Sequence, residues 1–255
     1  DVLIVKGSDS FIYDDVDCTA LTCTLDKASL TVKFPGITSV HTYVRKSDNV
    51  AGTATGTQVA SQTYKTDQAV FADLPNGFYD VIVVKGSQTK LIDNVTVLGG
   101  WATVDKIVAT LTVKFPGIAG VHTYAKVNDG VAGTAAGGSV EDRTYKNDET
   151  SMVVLKSTYD VMVVKGAKQK IIDAVDCTGE TCVVENIVAT LTVKFPGISG
   201  VHTYVKVNDG VAGASGGDVE NRTYKNDEAS MVVLKNTYDV IVVKGAKQKI
   251  IDAVD

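Results

Sequence analysis

Apolar and polar residues alternate one by one over short runs of this chain. In VHTYVKV (201–207), Val201, Thr203, Val205 and Val207 fall on one face and His202, Tyr204 and Lys206 on the other. That is the two-residue period of a half-buried strand. LTVKF (191–195) does the same, turning Leu191, Val193 and Phe195 inward and Thr192 and Lys194 outward. Val, Ile, Thr and Tyr dominate these runs, as strand packing favours. FPGI, VNDG, YKND, LPNG and KGAKQ separate them, supplying residues that bend the chain or tolerate positive φ. No stretch sustains a 3.6-residue period. The pattern predicts an all-β protein with less than roughly a tenth of its residues helical.

The alternation is itself repeated. LTVKFPGI occurs at 30–37, 111–118 and 191–198, at intervals of 81 and 80 residues. Residues 106–176 and 186–255 can be laid on one another with one deletion in a Gly-rich loop, and 26–96 keeps the same frame with more substitutions. Recurrence at this spacing marks an array of equivalent modules. Six or seven short strands in about 80 residues predict a β-sandwich per module. The expected division is 24–102, 103–182 and 183–255 as three sandwiches, with 1–23 as orphan closing strands. Those first residues match the end of a module: DVLIVKGSDSFIYDDVDC (1–18) parallels DVIVVKGSQTKLIDNVTV (80–97). Two strands cannot hold themselves together in water. Residues 1–17 are therefore expected to complete a sandwich whose other strands lie in a neighbouring subunit or in upstream chain. Val2, Ile4, Phe11 and Ile12 are the expected buried contacts of that assembly strand pair.

TYKTDQAVFADLPNGFYDVIVVKGSQTKLIDNVTV (63–97) is similar to the second half of prealbumin-like sandwiches, those of carboxypeptidase-regulatory-like and CNA-B-type surface modules. The shared pattern is Leu74, Pro75, Gly77, Tyr79 and Val81. The later copies, LKSTYDV and LKNTYDV, lack the Pro and Gly. The resemblance implies a tandem array of Ig-like or prealbumin-like β-sandwiches in a prokaryotic surface or filament protein. It also implies an isopeptide option, with Lys33, Lys114 and Lys194 opposite Asp93 or Asn94, Asp173 and Asp252. The alternation of LTVKF turns those lysines to solvent, whereas such a lysine must be buried to be nucleophilic.

Cys18 and Cys23, and again Cys177 and Cys182, flank a four-residue turn at the same place in the repeat. In the intervening copy Val97 and Ala102 replace both together. Two local disulfides, each within a hairpin, are the expectation, and with them an oxidising, extracytoplasmic setting. His41, His122 and His202 recur in VHTY. They read as a polar interface between neighbouring modules, because no further ligand accompanies them. Asp129, Asp148, Asp209 and Asp227 sit in turns that supply too few oxygens for calcium at any one place. Asn94 and Asn221 fit the N-glycosylation pattern.

Composition narrows the function. The net charge of −5 offers no basic patch for nucleic acid, and no apolar run reaches the roughly 18 residues of a membrane span. No phosphate-cradling loop, nucleophile elbow or singular His–acid–nucleophile set is present; the chain reads as neither an enzyme nor a cofactor binder. YDVMVVKG (159–166) and YDVIVVKG (238–245) are apolar on both faces, which suggests that the outer face is covered too. The function expected is a structural subunit of an extracellular filament or surface fibre whose partner is itself. It would be joined by strand complementation at the N-terminal segment. The alternatives are a stalk of tandem sandwiches, or an adhesin binding glycan or protein through the Gly-rich loops 132–138 and 212–217.

Overall fold

The computed structural model describes the backbone of residues 2–6, 9–13 and 27–255, with side chains from 27 onward. Strands and turns alone make up the described residues; no helix occurs among them. The chain separates into two compact units, 1–109 with 153–157, and 110–152 with 158–255.

The first unit opens with a two-stranded antiparallel sheet, β1 (Val2–Lys6) and β2 (Asp9–Tyr13). β2 approaches β6 of the following sandwich but joins neither of its sheets. That sandwich runs β3 (Lys27–Phe34), β4 (Val40–Lys46), β5 (Gln58–Lys65), β6 (Asp67–Pro75), β7 (Gly77–Lys85), β8 (Gln88–Val97) and β9 (Trp101–Val104). One sheet has the order β5-β4-β7-β8 and the other β6-β3-β9. All pairings are antiparallel except β9, which lies parallel to β3. The alternating residues of LTVKF meet the opposite sheet as their period requires. Leu30, Val32 and Phe34 pack with Val40, Val44, Phe71, Val81 and Val83 in one continuous core.

The next module repeats this plan. β10 (Val108–Phe115), β11 (Val121–Val127), β12 (Ser139–Lys146), β13 (Asp148–Leu155), β14 (Thr158–Lys165), β15 (Lys168–Asp176) and β16 (Thr181–Val184) form sheets of order β12-β11-β14-β15 and β13-β10-β16, with β16 parallel to β10. Six further strands follow: β17 (Val188–Phe195), β18 (Val201–Val207), β19 (Asp218–Lys225), β20 (Asp227–Leu234), β21 (Tyr238–Lys244) and β22 (Lys247–Val254). They form sheets of order β19-β18-β21-β22 and β17-β20.

The doubly apolar strands find their outer cover within their own sheet. Met162 lies between Tyr124 and Ile171, and Ile241 between Tyr204 and Ile250. These cross-strand rows leave the outward residues half-buried. A second neighbouring chain is not required to explain the composition.

One inward position of each module is polar. Thr42, Thr123 and Thr203 are wholly buried, and no partner reaches their hydroxyls among the described residues. A buried, unpaired hydroxyl costs its lost hydration. Thr123→Val, which keeps the shape and removes the hydroxyl, should stabilise the protein by about 1 kcal/mol. A urea midpoint that falls rather than rises, at unchanged slope, would show that the hydroxyl is needed.

Candidate functional site

Each module builds the same polar framework around a buried aspartate. Asp80, Asp160 and Asp239 are 1% exposed although they sit on apolar strands. Asp160 accepts the N–H of Ala174 on Oδ1 (3.1 Å) and that of Asp129 on Oδ2 (2.9 Å). Asp80 does the same with Asn94 (3.0 Å) and Asp48 (3.2 Å), and Asp239 with Ala253 (3.1 Å) and Asp209 (3.2 Å). One donor belongs to a bulge, where Asn94, Ala174 and Ala253 have φ of 52–53°. The other begins the Gly-rich loop. The carboxylate therefore ties a sheet irregularity to a loop.

The loop is then held from inside. Asp129 accepts the N–H of Val131 (2.8 Å) and of Ala136 (2.7 Å) and the hydroxyl of Thr134 (2.7 Å). Asp48 likewise takes Val50 N–H, Thr55 N–H and the hydroxyls of Thr53 and Thr55. These donors favour the ionised form. The Thr55 amide, then the Thr53 hydroxyl, hold the Asp48 carboxyl well below its ordinary range. Thr134, followed by the Val131 and Ala136 amides, lowers that of Asp129. From the neighbouring strand, Asp93, Asp173 and Asp252 accept the N–H of Gly52, Gly133 and Gly213. Loop carbonyls are met by cations of the chain itself: Arg45 donates to Ala54 and Gly56, and Lys126 to Ala135. Gly137 has no alternative, since a Cβ there would lie 1.8 Å from the carbonyl oxygen of Val127.

This framework uses the oxygens considered for calcium. Both oxygens of Asp129 are occupied by donors, and Asp148 and Asp227 accept Gly117 and Gly197 N–H in the FPGI turns. No cluster of three or more His, Cys, Asp or Glu suited to a metal exists among the described residues. What the loops present outward is apolar: Val50, Val131 and Val211 are each more than half exposed. The buried aspartates were not singled out from sequence. Their signal was an acid in the second position of every YDV, inside an otherwise apolar strand.

The histidines correct another expectation. His41, His122 and His202 meet Tyr64, Tyr145 and Tyr224 of their own modules edge-on, with ring centroids 4.4–4.5 Å apart. The tyrosines are about three-quarters exposed, with φ of 53–54°. Each histidine is therefore a within-module contact. Lys33, Lys114 and Lys194 are exposed, as the alternation requires. Asn94 and Asn221 are exposed as well, and Asn94 accepts the Ser47 hydroxyl.

Cys177 and Cys182 are joined, with Cα atoms 5.2 Å apart. Their setting is not a hairpin. Cys177 follows β15 in one sheet, while Cys182 lies on β16 in the other. The bond staples the crossing between the layers and so fixes where β16 meets β10. Cys18 and Cys23 lie outside the described residues, as do the side chains of Val2, Ile4, Phe11 and Ile12. The backbone of those four is paired across β1 and β2, with Ile4 opposite Phe11.

The sheet edges differ between modules. β3 is flanked by β6 and β9, and β10 by β13 and β16, whereas β17 has β20 alone among the described residues. The consequence is read in the core. Ala28, Leu30 and Val32, like Ala109, Leu111 and Val113, are at most 1% exposed. In β17, Ala189 is exposed and Leu191 and Val193 are only half-buried. The inner residues there divide into two separate clusters. Two grooves of about 300 and 400 Å³ run along this edge, the first past Leu191 and the second past Val193.

No protein-family model and no curated protein matches the chain. Among solved structures it is similar to the tip fimbrial protein Mfa3 from Porphyromonas gingivalis with C-terminal truncation. The identity is 9%, the match covers 78% of this chain and 99% of that one, and the TM-score is 0.32. A second likeness is to the major pilin SpaA of Corynebacterium diphtheriae, at 9% identity, 89% and 88% coverage and a TM-score of 0.22.

Two measurements test this framework. Carboxyls depressed in the folded state contribute stability that is complete above about pH 4, the unfolded value, and is lost as pH falls towards the folded value. Urea midpoints should therefore decline below about pH 4, and Asp129→Asn should flatten part of that decline; an unchanged slope would deny the carboxylate its role. Reducing Cys177–Cys182 should cost about 2 kcal/mol, the loop entropy of so short a closure, with exchange at β16 amides rising first. Equal exchange before and after reduction would show that the staple does not hold the crossing.

Proposed function

We propose that the chain is a structural subunit of an extracellular filament or surface fibre, assembled from repeated sandwiches and joined by strand complementation through its N-terminal segment. The observation that carries this reading is how the polar groups are used. The buried aspartate, the loop carboxylates, the pinned FPGI turn and the His–Tyr contact occur once per module, and each is satisfied inside its module. Chemistry needs polar groups left available to a substrate; these are consumed in making a stiff, repeatable block.

The N-terminal pair supports the same reading. Among the described residues β1 and β2 pair only with each other, and each presents an outer backbone edge. Such edges recruit further strands. The disulfide fits an oxidising environment outside the cytoplasm.

Negative-stain microscopy of native material is the direct test. Regular filaments that lose their order when residues 1–17 are deleted are the expected outcome. Single extended rods, unchanged by the deletion, would replace the polymer with a stalk.

A further inference from the structure

We propose that the second and third modules form one rigid body, held by the β14–β15 turn of the second seating on the third, and that Gly217 is the residue that admits this turn. The meaning of the joint rests on the filament reading, since a fibre is only as stiff as the contacts between its modules.

Modules joined by a linker reorient unless contacts beside the linker hold them. Here the linker is residues 185–187, between β16 and β17 in the same compact unit, and it is tied at both ends. Lys114 of the second module reaches Glu185 at 3.7 Å. The carbonyl of Ile187 accepts the N–H of Lys235 in the third module at 2.7 Å, and Ile187 itself is buried. A second contact lies at the turn after β10. Ile118 is 2% exposed there, and a Cβ on Gly117 would lie 3.0 Å from Cγ2 of Val232 on β20.

The third contact is the turn KGAK (165–168). Ala167 N–H donates to the carbonyl of Asp218 at 3.1 Å, where β19 begins. Lys165 reaches Glu220 at 3.8 Å, and Lys168 Nζ lies 5.6 Å from the centre of the Tyr238 ring. Burial lowers the pKa of the Lys168 amine, although the charge of Asp239 opposes the shift. A cation of one module is thus held over the polar framework of the next. The linker and Val232 engage the β17-β20 sheet, whereas KGAK engages β19 and β21 of the other. Contacts on both layers leave no single axis about which the third module can swing.

The seat carries a steric condition. Gly166 has a φ of 56°, and a Cβ on it would lie 2.7 Å from the Asp218 carbonyl oxygen. Gly217 is different. Its φ is not positive, so its own backbone would accept a side chain. Yet a Cβ there would lie 2.6 Å from the Cβ of Ala167, and it would meet nothing else within 4 Å beyond its chain neighbours. Glycine at 217 is therefore required by the neighbouring module and not by its own loop. Gly138 holds the same place in the second module, where the first carries Thr57. Ala167 and Gly217 both lie at the exposed rim of the contact, so one methyl group is enough to decide it.

Residual dipolar couplings of the full chain, fitted module by module, test the joint. In the unaltered chain one alignment tensor should fit the second and third modules together. Gly217→Ala should require two tensors, while the couplings inside each module still fit that module alone. Ala167→Gly removes the opposing Cβ, so combining it with Gly217→Ala should restore the single tensor. Ala167→Leu crowds the same contact from the other side and should also separate the tensors. It leaves the sequence of the third module intact, which keeps the test decisive if Gly217→Ala disturbs its own loop. Separate tensors in the unaltered chain would overturn the rigid pair. A single tensor in both Gly217→Ala and Ala167→Leu would deny Gly217 its part, as would a double variant that is not restored. A single tensor, lost and restored as described, in a chain that forms no filaments would keep the joint and remove the fibre.

Discussion

The first strand of a sandwich buries its apolar face most fully where it has a neighbour on each backbone edge, as β3 and β10 do. In these two modules that requirement is met late along the chain. β10 starts the sandwich and is flanked by β16, which follows it by about 70 residues. β16 in turn lies just before the next copy of the first strand. Closing one sandwich and starting the next are therefore neighbouring events along the chain, and the covalent link between modules is very short.

The second requirement is to hold the irregular parts still. Bulges and Gly-rich loops expose backbone donors that ladders cannot satisfy. A buried carboxylate answers two of them at once in each module, and three modules use the same solution. Tyr238 illustrates a related economy. Its hydroxyl donates to the carbonyl of Leu234 across the turn between β20 and β21, and burial pushes its pKa up to about 12. The same bond joins Tyr79 to Pro75, like the tyrosine corner of immunoglobulin-type sandwiches.

Much of the fold was legible in the residues. Alternation turns Leu191, Val193 and Phe195 inward; Phe195 is buried and the other two half-buried, while the same positions of the first copy, Leu30, Val32 and Phe34, are fully buried. The recurrence of LTVKFPGI marks equivalent segments, and β3, β10 and β17 carry it. Less legible was anything that depended on which sheet a strand joins. The spacing of Cys177 and Cys182 looks like a hairpin in one dimension, since a turn between layers and a turn within a layer have the same length. The four residues of β9 and β16 are too few to show a period, and their parallel partner lies far away in sequence. For the histidines, alternation names a face but not what covers it, so a neighbouring module and the tyrosine of the same module look alike in sequence. Asp160 is hidden for the opposite reason: its surroundings are apolar, and the backbone amides that justify it leave no trace in composition.

The adjacency of β10 and β16 has a mechanical consequence. They are the first and last strands of their module, side by side and pointing the same way. Tension applied along the chain pulls β10 towards the N-terminus and β16 towards the C-terminus, so their ladder is loaded in shear. The hydrogen bonds must then yield together; a ladder peeled from one end would lose them singly. The Cys177–Cys182 bond adds a covalent limit to how far the crossing can open once β16 slips. A short parallel edge strand, the least conspicuous element in the sequence, is thereby placed where a module under load would have to fail first.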